Sequence, residues 1–333
     1  MRIGFVVAVL GLLAVALVDQ GPTLRHEVRE LSAPVMVLAF LATLAALMCS
    51  LMVWRSVLAD LGSPLPLDDA FRIMFIGQLA KYIPGSLWPV LGQMELAADR
   101  GVPRARTGVS VLLSSGLMVC TGGVVGAATV PFVAAGSATR YLWLLVVVPI
   151  GMTVLSPPVL NRILNVLLRV LRRSTLQQGV SVRGLAVAGG WAILSWAFNG
   201  AMTYALLGRL AGHGGDILLL SVGAYALSWV AGFLAIFAPA GAGVREAVMV
   251  AIVGTHTSTG VALTVTLVSR GFAVVADAVA GAAAGALIGH RHLQALRANI
   301  ESDSDAARGD GSGGPDGSVR AEGGPYPPPG DQA

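Results

Sequence analysis

The stretch KYIPGSLWPVLGQ, residues 81–93, interrupts an otherwise apolar region with a lysine, two prolines and two glycines. Asp68 is the predicted N-cap of a helix over 69–80, which reaches only ~18 Å at 1.5 Å per residue. This is too short to cross a hydrocarbon core of ~30 Å. Backbone freed by the break cannot face lipid, because each unpaired group there costs several kcal/mol. The stretch therefore predicts a re-entrant hairpin whose break faces protein or a watery cavity.

The composition indicates that lipid is the solvent of this chain. Only 12% of its 333 residues are charged and 55% are hydrophobic, with a mean hydropathy of +0.75. A soluble chain would carry roughly a quarter charged residues. The formal net charge is +4, but the excess arginine falls in loops, where it sets orientation and meets anionic headgroups. We therefore expect membrane lipids, and no nucleic acid, as partners.

Seven apolar runs meet or approach the length of about 20 residues that a spanning helix needs. They are Ile3–Val18, Pro34–Trp54, Thr107–Phe132, Tyr141–Leu160, Gly184–Leu207, Ile217–Ala238 and Val261–Gly289. The first run could instead be a signal-peptide core cut after Ala16, but an uncleaved span is the usual case before another span. Two further apolar stretches, Phe71–Gly92 and Pro239–Gly254, are broken by proline and glycine.

Lysine and arginine in short loops predict the orientation. Residues 55–106 and 159–183 are rich in them, and the second segment holds no acid, whereas the loops at 19–33, 133–140 and 208–216 are poorer. Both rich segments and both termini are therefore expected in the cytoplasm. The prediction is an all-α, polytopic protein of the plasma membrane, with about eight crossings plus one re-entrant broken-helix hairpin.

The chain divides into a membrane domain and a tail. Residues 1–298 form the predicted transmembrane domain, with the re-entrant segment at about 71–92 and a short broken span at about 239–257. Glycine, proline, serine and aspartate dominate 299–333, which we expect to be a disordered cytoplasmic tail. Residues 161–173 have helical period with arginines on one face. They predict either an interfacial helix on anionic lipid or a plain juxtamembrane connector.

The second break, FAPAGAGVREAVMV at 237–250, places a glycine-rich turn before a helix that opens at Val244 or Arg245. Such a turn points free N–H groups and the positive end of the helix dipole at whatever lies there. Arg245 adds a bidentate fork that suits phosphate. Two interrupted segments, one in each half of the chain, are the sequence signature of a transporter site.

Arg270 and Asp277 are ionisable residues inside the last span. Their spacing of seven places them on one helix face, ~10 Å apart along the axis, and charges within spans usually face the bundle interior. Arg270 is free to pair with Glu246, and Asp277 with Arg245 or Lys81. The alternative is a structural ion pair that only holds the bundle together.

These residues resemble the lysylphosphatidylglycerol synthase transmembrane-region family, also called flippase-like integral membrane proteins. The resemblance covers roughly residues 1–290 and is carried by GQLAKYIPGSLWPVLGQ, PAGAGVREA and the charges of the last span. The family's Lys-Tyr-x-Pro-Gly element falls on Lys81, Tyr82, Pro84 and Gly85. Its Gly-x-Arg-Glu element falls on Gly243, Arg245 and Glu246. The resemblance implies movement of aminoacylated phospholipid between leaflets, although the soluble aminoacyl-transfer domain of full synthases has no counterpart here.

The functional hypothesis is a lipid translocase that acts on a phospholipid or other lipid with a polar headgroup. The alternatives are a non-transporting anchor or regulatory subunit of a separate cell-envelope transferase, and an intramembrane enzyme. No catalytic motif, metal-spaced histidine cluster or nucleotide loop occurs, so no enzyme activity, metal or cofactor is expected. The predicted headgroup-binding residues are Gln78, Lys81, Tyr82, Pro84, Gly85, Trp88, Gly241, Gly243, Arg245, Glu246, Arg270 and Asp277.

Overall fold

The computed structural model describes residues 21–80, 88–133, 146–154, 156–170, 179–235, 238 and 241–309. Over these residues the chain is all-helical, as predicted. The helices are α1 Gly21–Glu30, α2 Ala33–Asp60, α3 Leu67–Leu79, α4 Trp88–Ala98, α5 Arg104–Val133, α6 Val147–Val154, α7 Pro157–Val170, α8 Val182–Ala211, α9 Gly215–Leu234, α10 Val244–Val253 and α11 Thr259–Gly309.

Five of the described helices are long and apolar enough to cross a membrane. The spans are Ala33–Asp60, Arg104–Thr129, Val182–Ala211, Gly215–Leu234 and Thr259–Leu287. They confirm five of the seven predicted runs. The run Ile3–Val18 lies outside the described residues, so the total of eight crossings stays a prediction.

The predicted span Tyr141–Leu160 is not one helix. Its described part contains the whole of the eight-residue α6 and the start of α7, with Ser156 between them. Pro157 and Pro158 explain the break, because proline lacks the N–H that would continue the first helix, and it suits the first turn of the next one. Helix α7 confirms residues 161–170 of the helical segment predicted over 161–173, and the last three residues lie outside the described part.

One predicted helix start is wrong, and one helix extends into the segment predicted to be the tail. Helix α3 begins at Leu67 after Pro66, so Asp68 lies in the first turn and is not the N-cap. Helix α11 continues to Gly309, ten residues past the tail boundary predicted at Asn299, because alanine and acidic side chains there tolerate a helix despite their polarity. Residues 310–333 lie outside the described part, so the disordered tail stays a prediction for them.

Helices α2 and α8 form an antiparallel pair that sets the two faces of the membrane domain. Glu30, just before α2, lies 3.5 Å from Arg209 near the end of α8. At the middle of the pair, the hydroxyls of Ser50 and Ser195 are 3.2 Å apart. At the other end, the Asp60 carboxylate accepts hydrogen bonds from the Ser181 N–H and hydroxyl, both at 2.7 Å.

The Asp60–Ser181 contact joins the two arginine-rich segments at one face, as their composition predicts. Arg100 lies 3.0 Å from Asp69, and Arg106 donates to the Gly62 carbonyl at 3.0 Å. Glu95 and Arg104 form a bidentate pair on the surface, and the Arg104 hydrogen bonds lower the pKa of Glu95. These contacts tie the start of α3, the end of α4 and the start of α5 to the end of α2.

The core is apolar, and its tryptophan N–H groups are satisfied by hydroxyls. Trp54 on α2 donates to Ser110 on α5 at 3.0 Å. Trp196 on α8 donates to Thr121 on α5, also at 3.0 Å. An unpaired N–H would be costly in this environment, so the two bonds fix α5 against both members of the antiparallel pair.

The chain separates into two compact units at the end of the last span. Unit 1 comprises Met1–Gly285 and contains every helix from α1 to α10 and residues 259–285 of α11. Unit 2 comprises Ala286–Ala333, of which residues 286–309 are described as helix.

Candidate functional site

The turn before α10 is built on glycines that other residues cannot replace. Gly241 and Gly243 have φ of +70° and +86°, in the left-handed region that favours glycine. A methyl group on Gly241 would come within 2.7 Å of both the Cα and the carbonyl oxygen of Gly232 on α9. The two glycines therefore allow the backbone of the turn to lie against the backbone of α9.

Helix α10 begins at Val244, as predicted, with Gly243 as its N-cap. The Glu246 carboxylate lies in the first turn and accepts the backbone N–H of Gly243 through Oε2. A negative charge at this position also stabilises the positive end of the helix dipole. Glu246 is buried, with 8% of its surface exposed.

Glu246 has a second partner across the bundle. Its Oε1 lies 3.5 Å from Nε of Arg270 on α11. This is one of the pairings that the sequence allowed. The side chain of Arg270 is 24% exposed and that of Glu246 is 10% exposed, so the pair lies in partly buried surroundings where a lone charge would be costly.

Arg245 points the other way, onto α9. Its guanidinium carbon lies 4.7 Å from the centre of the Tyr225 ring, in a cation–π contact. Tyr225 is buried. The Nη2 atom of Arg245 is also buried and has no hydrogen-bond partner among the described residues. The sequence alternative in which Arg245 pairs with Asp277 is therefore not the observed arrangement.

The first break is flanked by two short helices that pack closely. A methyl group on Gly77 of α3 would lie 2.5 Å from Cγ of Gln93 on α4, and one on Gly92 would lie 3.5 Å from Cα of Gly77. Gln93 is 4% exposed. Glycine at 77 and 92 thus allows α3 and α4 to approach each other as a pair.

The end of α3 lies against α11. A methyl group on Gly281 would come within 2.8 Å of Cδ1 of Leu79. Residues 270, 277 and 281 are spaced by seven and four, so they share one face of α11. Helix α10, which follows the second break, contacts this face at Arg270. Helix α3, which precedes the first break, contacts it at Gly281. The two contact points are ~16 Å apart along the axis of α11. Asp277, which is buried at 6% exposure, lies between them.

The described members of the predicted site lie on four helices and in the turn before α10, and of these members the structure brings together Glu246 and Arg270. Gln78 lies near the end of α3 and Trp88 opens α4, on either side of the first break. Gly241, Gly243, Arg245 and Glu246 form the second break, and the last two hold different partners. Lys81, Tyr82, Pro84 and Gly85 lie outside the described residues.

Several residues of this region were not found from sequence. Gly77, Gly232 and Gly281 permit the close helix contacts, but glycine is so common in this chain that its count of 42 singles out none of them. Tyr225 carried a weak signal, since it is a tyrosine in the middle of an apolar span. A buried tyrosine usually finds a polar or cationic neighbour, and here that neighbour is Arg245.

The fold and the charged site define the chain as a polytopic helical membrane protein with two broken segments near a charged helix. A family profile described as the lysylphosphatidylglycerol synthase TM region matches residues 2–281. The chain belongs to this family and is an integral membrane protein, which confirms the resemblance drawn from its motifs. A comparison with curated proteins gave no match.

Proposed function

We propose that the protein is a lipid translocase that binds the headgroup of an anionic or zwitterionic phospholipid between the two breaks. The observation that carries the proposal is the buried Nη2 of Arg245, which has no hydrogen-bond partner among the described residues. A buried, unsatisfied donor on a cation is expensive and calls for an absent acceptor. A lipid phosphate is such an acceptor, and arginine binds it through its planar fork.

The charge balance at the second break favours a phosphate. The first N–H groups of a helix have no intrahelical acceptor, and Gly243 N–H is the one taken by Glu246. Glu246 would repel a phosphate, but Arg270 offsets its charge at 3.5 Å. Arg245 and the remaining first-turn N–H groups of α10 therefore present net positive charge at this end of the helix.

The lengths of the flanking helices support a site within the bilayer. Helices α3, α4 and α10 have 13, 11 and 10 residues, or ~20, ~17 and ~15 Å at 1.5 Å per residue. None of them can cross ~30 Å alone. In this proposal α3 and α4 form the re-entrant hairpin and α10 completes a broken span, so their free ends meet the headgroup at membrane depth. No covalent step is involved.

The transport assay uses the full chain in vesicles that contain phosphatidylglycerol with a fluorescent headgroup-proximal label. Transfer is scored by the label that dithionite can reach. We expect Arg245→Ala to slow transfer by about tenfold or more, the loss of one charge-assisted hydrogen bond, while its melting temperature in detergent moves little. Arg209→Ala, which removes a surface arginine paired with Glu30, is the matched control and should transfer at the wild-type rate.

Two results would contradict the proposal. Equal rates of transfer by the Arg245→Ala and wild-type proteins would show that Arg245 does not bind the lipid during transfer. Absence of transfer by the wild-type protein, with phosphatidylglycerol, phosphatidylethanolamine and lysylphosphatidylglycerol each tried, would favour the anchoring or regulatory subunit instead.

We also propose that the face joined by Asp60 and Ser181 is cytoplasmic, because it gathers the arginine-rich segments. Single cysteines at Asp99 and Gly214, in a Cys49→Ser, Cys120→Ser background, test this orientation. Both positions are exposed, Asp99 near the arginine-rich face and Gly214 in the α8–α9 turn at the opposite end. An impermeant thiol reagent should label position 214 and not position 99 in intact cells, and the reverse pattern would invert the orientation.

A further inference from the structure

A second feature of unit 1 is an apolar groove formed by α5, α7 and α8, helices that carry none of the predicted headgroup-binding residues. Its volume is about 300 Å³. The residues that the inference uses are Leu117 and Thr121 on α5, Pro157 on α7, and Val182, Gly189 and Ile193 on α8. Val182 is 72% exposed and Ile193 is 47% exposed, so the groove opens to the surroundings of the protein.

The groove has no free polar group on its α5 wall. The Thr121 hydroxyl donates to the Leu117 carbonyl at 2.7 Å and accepts the Trp196 N–H at 3.0 Å. Its hydrogen-bonding capacity is thus taken up within the protein. A lining of this kind suits a hydrocarbon chain and offers nothing to a polar ligand.

The α7 wall is held in place by a specific clamp. The Asn161 amide donates to the Val180 carbonyl at 3.0 Å and accepts the Val180 N–H at 2.8 Å. This two-point contact fixes α7 beside the start of α8 and so defines one end of the groove. From that end, Val182 to Ile193 spans eleven residues of helix, ~16 Å, about half of a ~30 Å hydrocarbon core. The length corresponds to one leaflet.

Cations lie at the same end. Arg162 follows the clamp residue Asn161, Arg183 follows Val182, and both are exposed. The nearby acid, Asp60, is engaged by the Ser181 N–H and hydroxyl. Two arginines against one bonded carboxylate give this end a net positive charge, and cations near the membrane surface favour anionic lipid.

We propose that this groove is a binding site for one acyl chain of an anionic phospholipid, whose headgroup lies at Arg162 and Arg183. The site is separate from the translocation site and would hold a lipid at the arginine-rich face. Lipid tails are as apolar as the groove. The two arginines therefore select the anionic headgroup, and the acyl chain in the groove fixes the position of the lipid.

Two neighbouring glycines provide a matched test. A Cβ atom added at Gly189 or at Gly190 would meet no atom within 4 Å, so both positions have room for the first carbon of a side chain. Only Gly189 lines the groove. Gly189→Trp should therefore fill the groove, whereas Gly190→Trp should place the same indole outside it.

The measurement is native mass spectrometry of the full chain in detergent, equilibrated with dipalmitoyl phosphatidylglycerol or dipalmitoyl phosphatidylcholine. We expect the wild-type protein to retain one phosphatidylglycerol with about tenfold preference over phosphatidylcholine, the contribution of two interfacial arginines. Gly189→Trp should weaken phosphatidylglycerol binding by about tenfold, the loss of about two packed methylene groups, with no change for Gly190→Trp. The double variant Arg162→Ala, Arg183→Ala should bind both lipids equally.

Equal phosphatidylglycerol binding by the Gly189→Trp and Gly190→Trp variants would overturn the groove as the site of the chain. A preference for phosphatidylglycerol that survives loss of both arginines would overturn the headgroup assignment. Conversion of a dimer to a monomer by Gly189→Trp alone would show that a second copy of the chain fills the groove, and would also overturn the proposal. A melting curve for each variant confirms that it is folded.

Discussion

Glu246→Ala is expected to destabilise the protein by about 3–5 kcal/mol, the cost of breaking a partly buried ion pair by removing one partner. The substitution leaves Arg270 without this carboxylate, which lies 3.5 Å from its Nε. It also leaves the Gly243 N–H without its acceptor, so the start of α10 loses its cap. The measurement is reversible unfolding in mixed micelles, followed by far-ultraviolet circular dichroism.

Two further variants separate the roles of Glu246. Arg270→Ala keeps the cap and removes the pair with Glu246, so it should cost less than Glu246→Ala, and the double variant should recover part of the sum. Glu30→Ala removes a carboxylate from the surface pair with Arg209, whose side chains are about half exposed. Such pairs contribute roughly 0–1 kcal/mol. If Glu246→Ala cost no more than Glu30→Ala, the buried pair would not be a structural element.

Gly241→Ala is the other substitution with a large expected effect, a loss of about 2–5 kcal/mol in unfolding free energy. The left-handed backbone, with φ of +70°, costs roughly 1–2 kcal/mol for alanine. The new methyl group would also lie 2.7 Å from the backbone of Gly232, and overpacking of this kind costs about 1–3 kcal/mol. Backbone cannot move aside as a flexible side chain can, so both terms should appear.

Gly101→Ala separates the two terms. Gly101 has a similar φ of +75°, but a methyl group there meets no atom within 4 Å. It should therefore show the conformational cost alone, roughly 1–2 kcal/mol. Equal losses for the two variants would mean that the contact between the turn and α9 has little energetic weight. The same unfolding assay serves both proteins.

The sequence predicted the spanning helices well because a bilayer imposes length and hydropathy on them. Runs such as Pro34–Trp54 and Gly184–Leu207 lie within α2 and α8. The prediction failed where local proline chemistry competes with hydropathy. The run Tyr141–Leu160 is apolar enough for a span, but Pro157 starts a new helix within it. Hydropathy averages over a window and does not register such a break.

The sequence identified which charged residues belong to the site but not which residues they contact. Glycine and proline before Val244 predict a helix start, because few other residues tolerate the backbone of such a turn. The structure confirms that α10 begins at Val244. The pairing of Glu246 with Arg270 was one of several combinations that spacing allows. The contact of Arg245 with Tyr225 depends on how closely α9 and α10 approach, and that distance is set by Gly232 and Gly241, a pair that neither hydropathy nor charge singles out.

The shared face of α11 has a mechanical consequence. Arg270 holds the start of α10 and Gly281 receives the end of α3 on the same side of one rigid helix. A rotation or axial shift of α11 therefore displaces both contacts at once and in the same sense. In the proposed function, a lipid bound at one break would change the free energy of the other through this helix, and the coupling would be reciprocal.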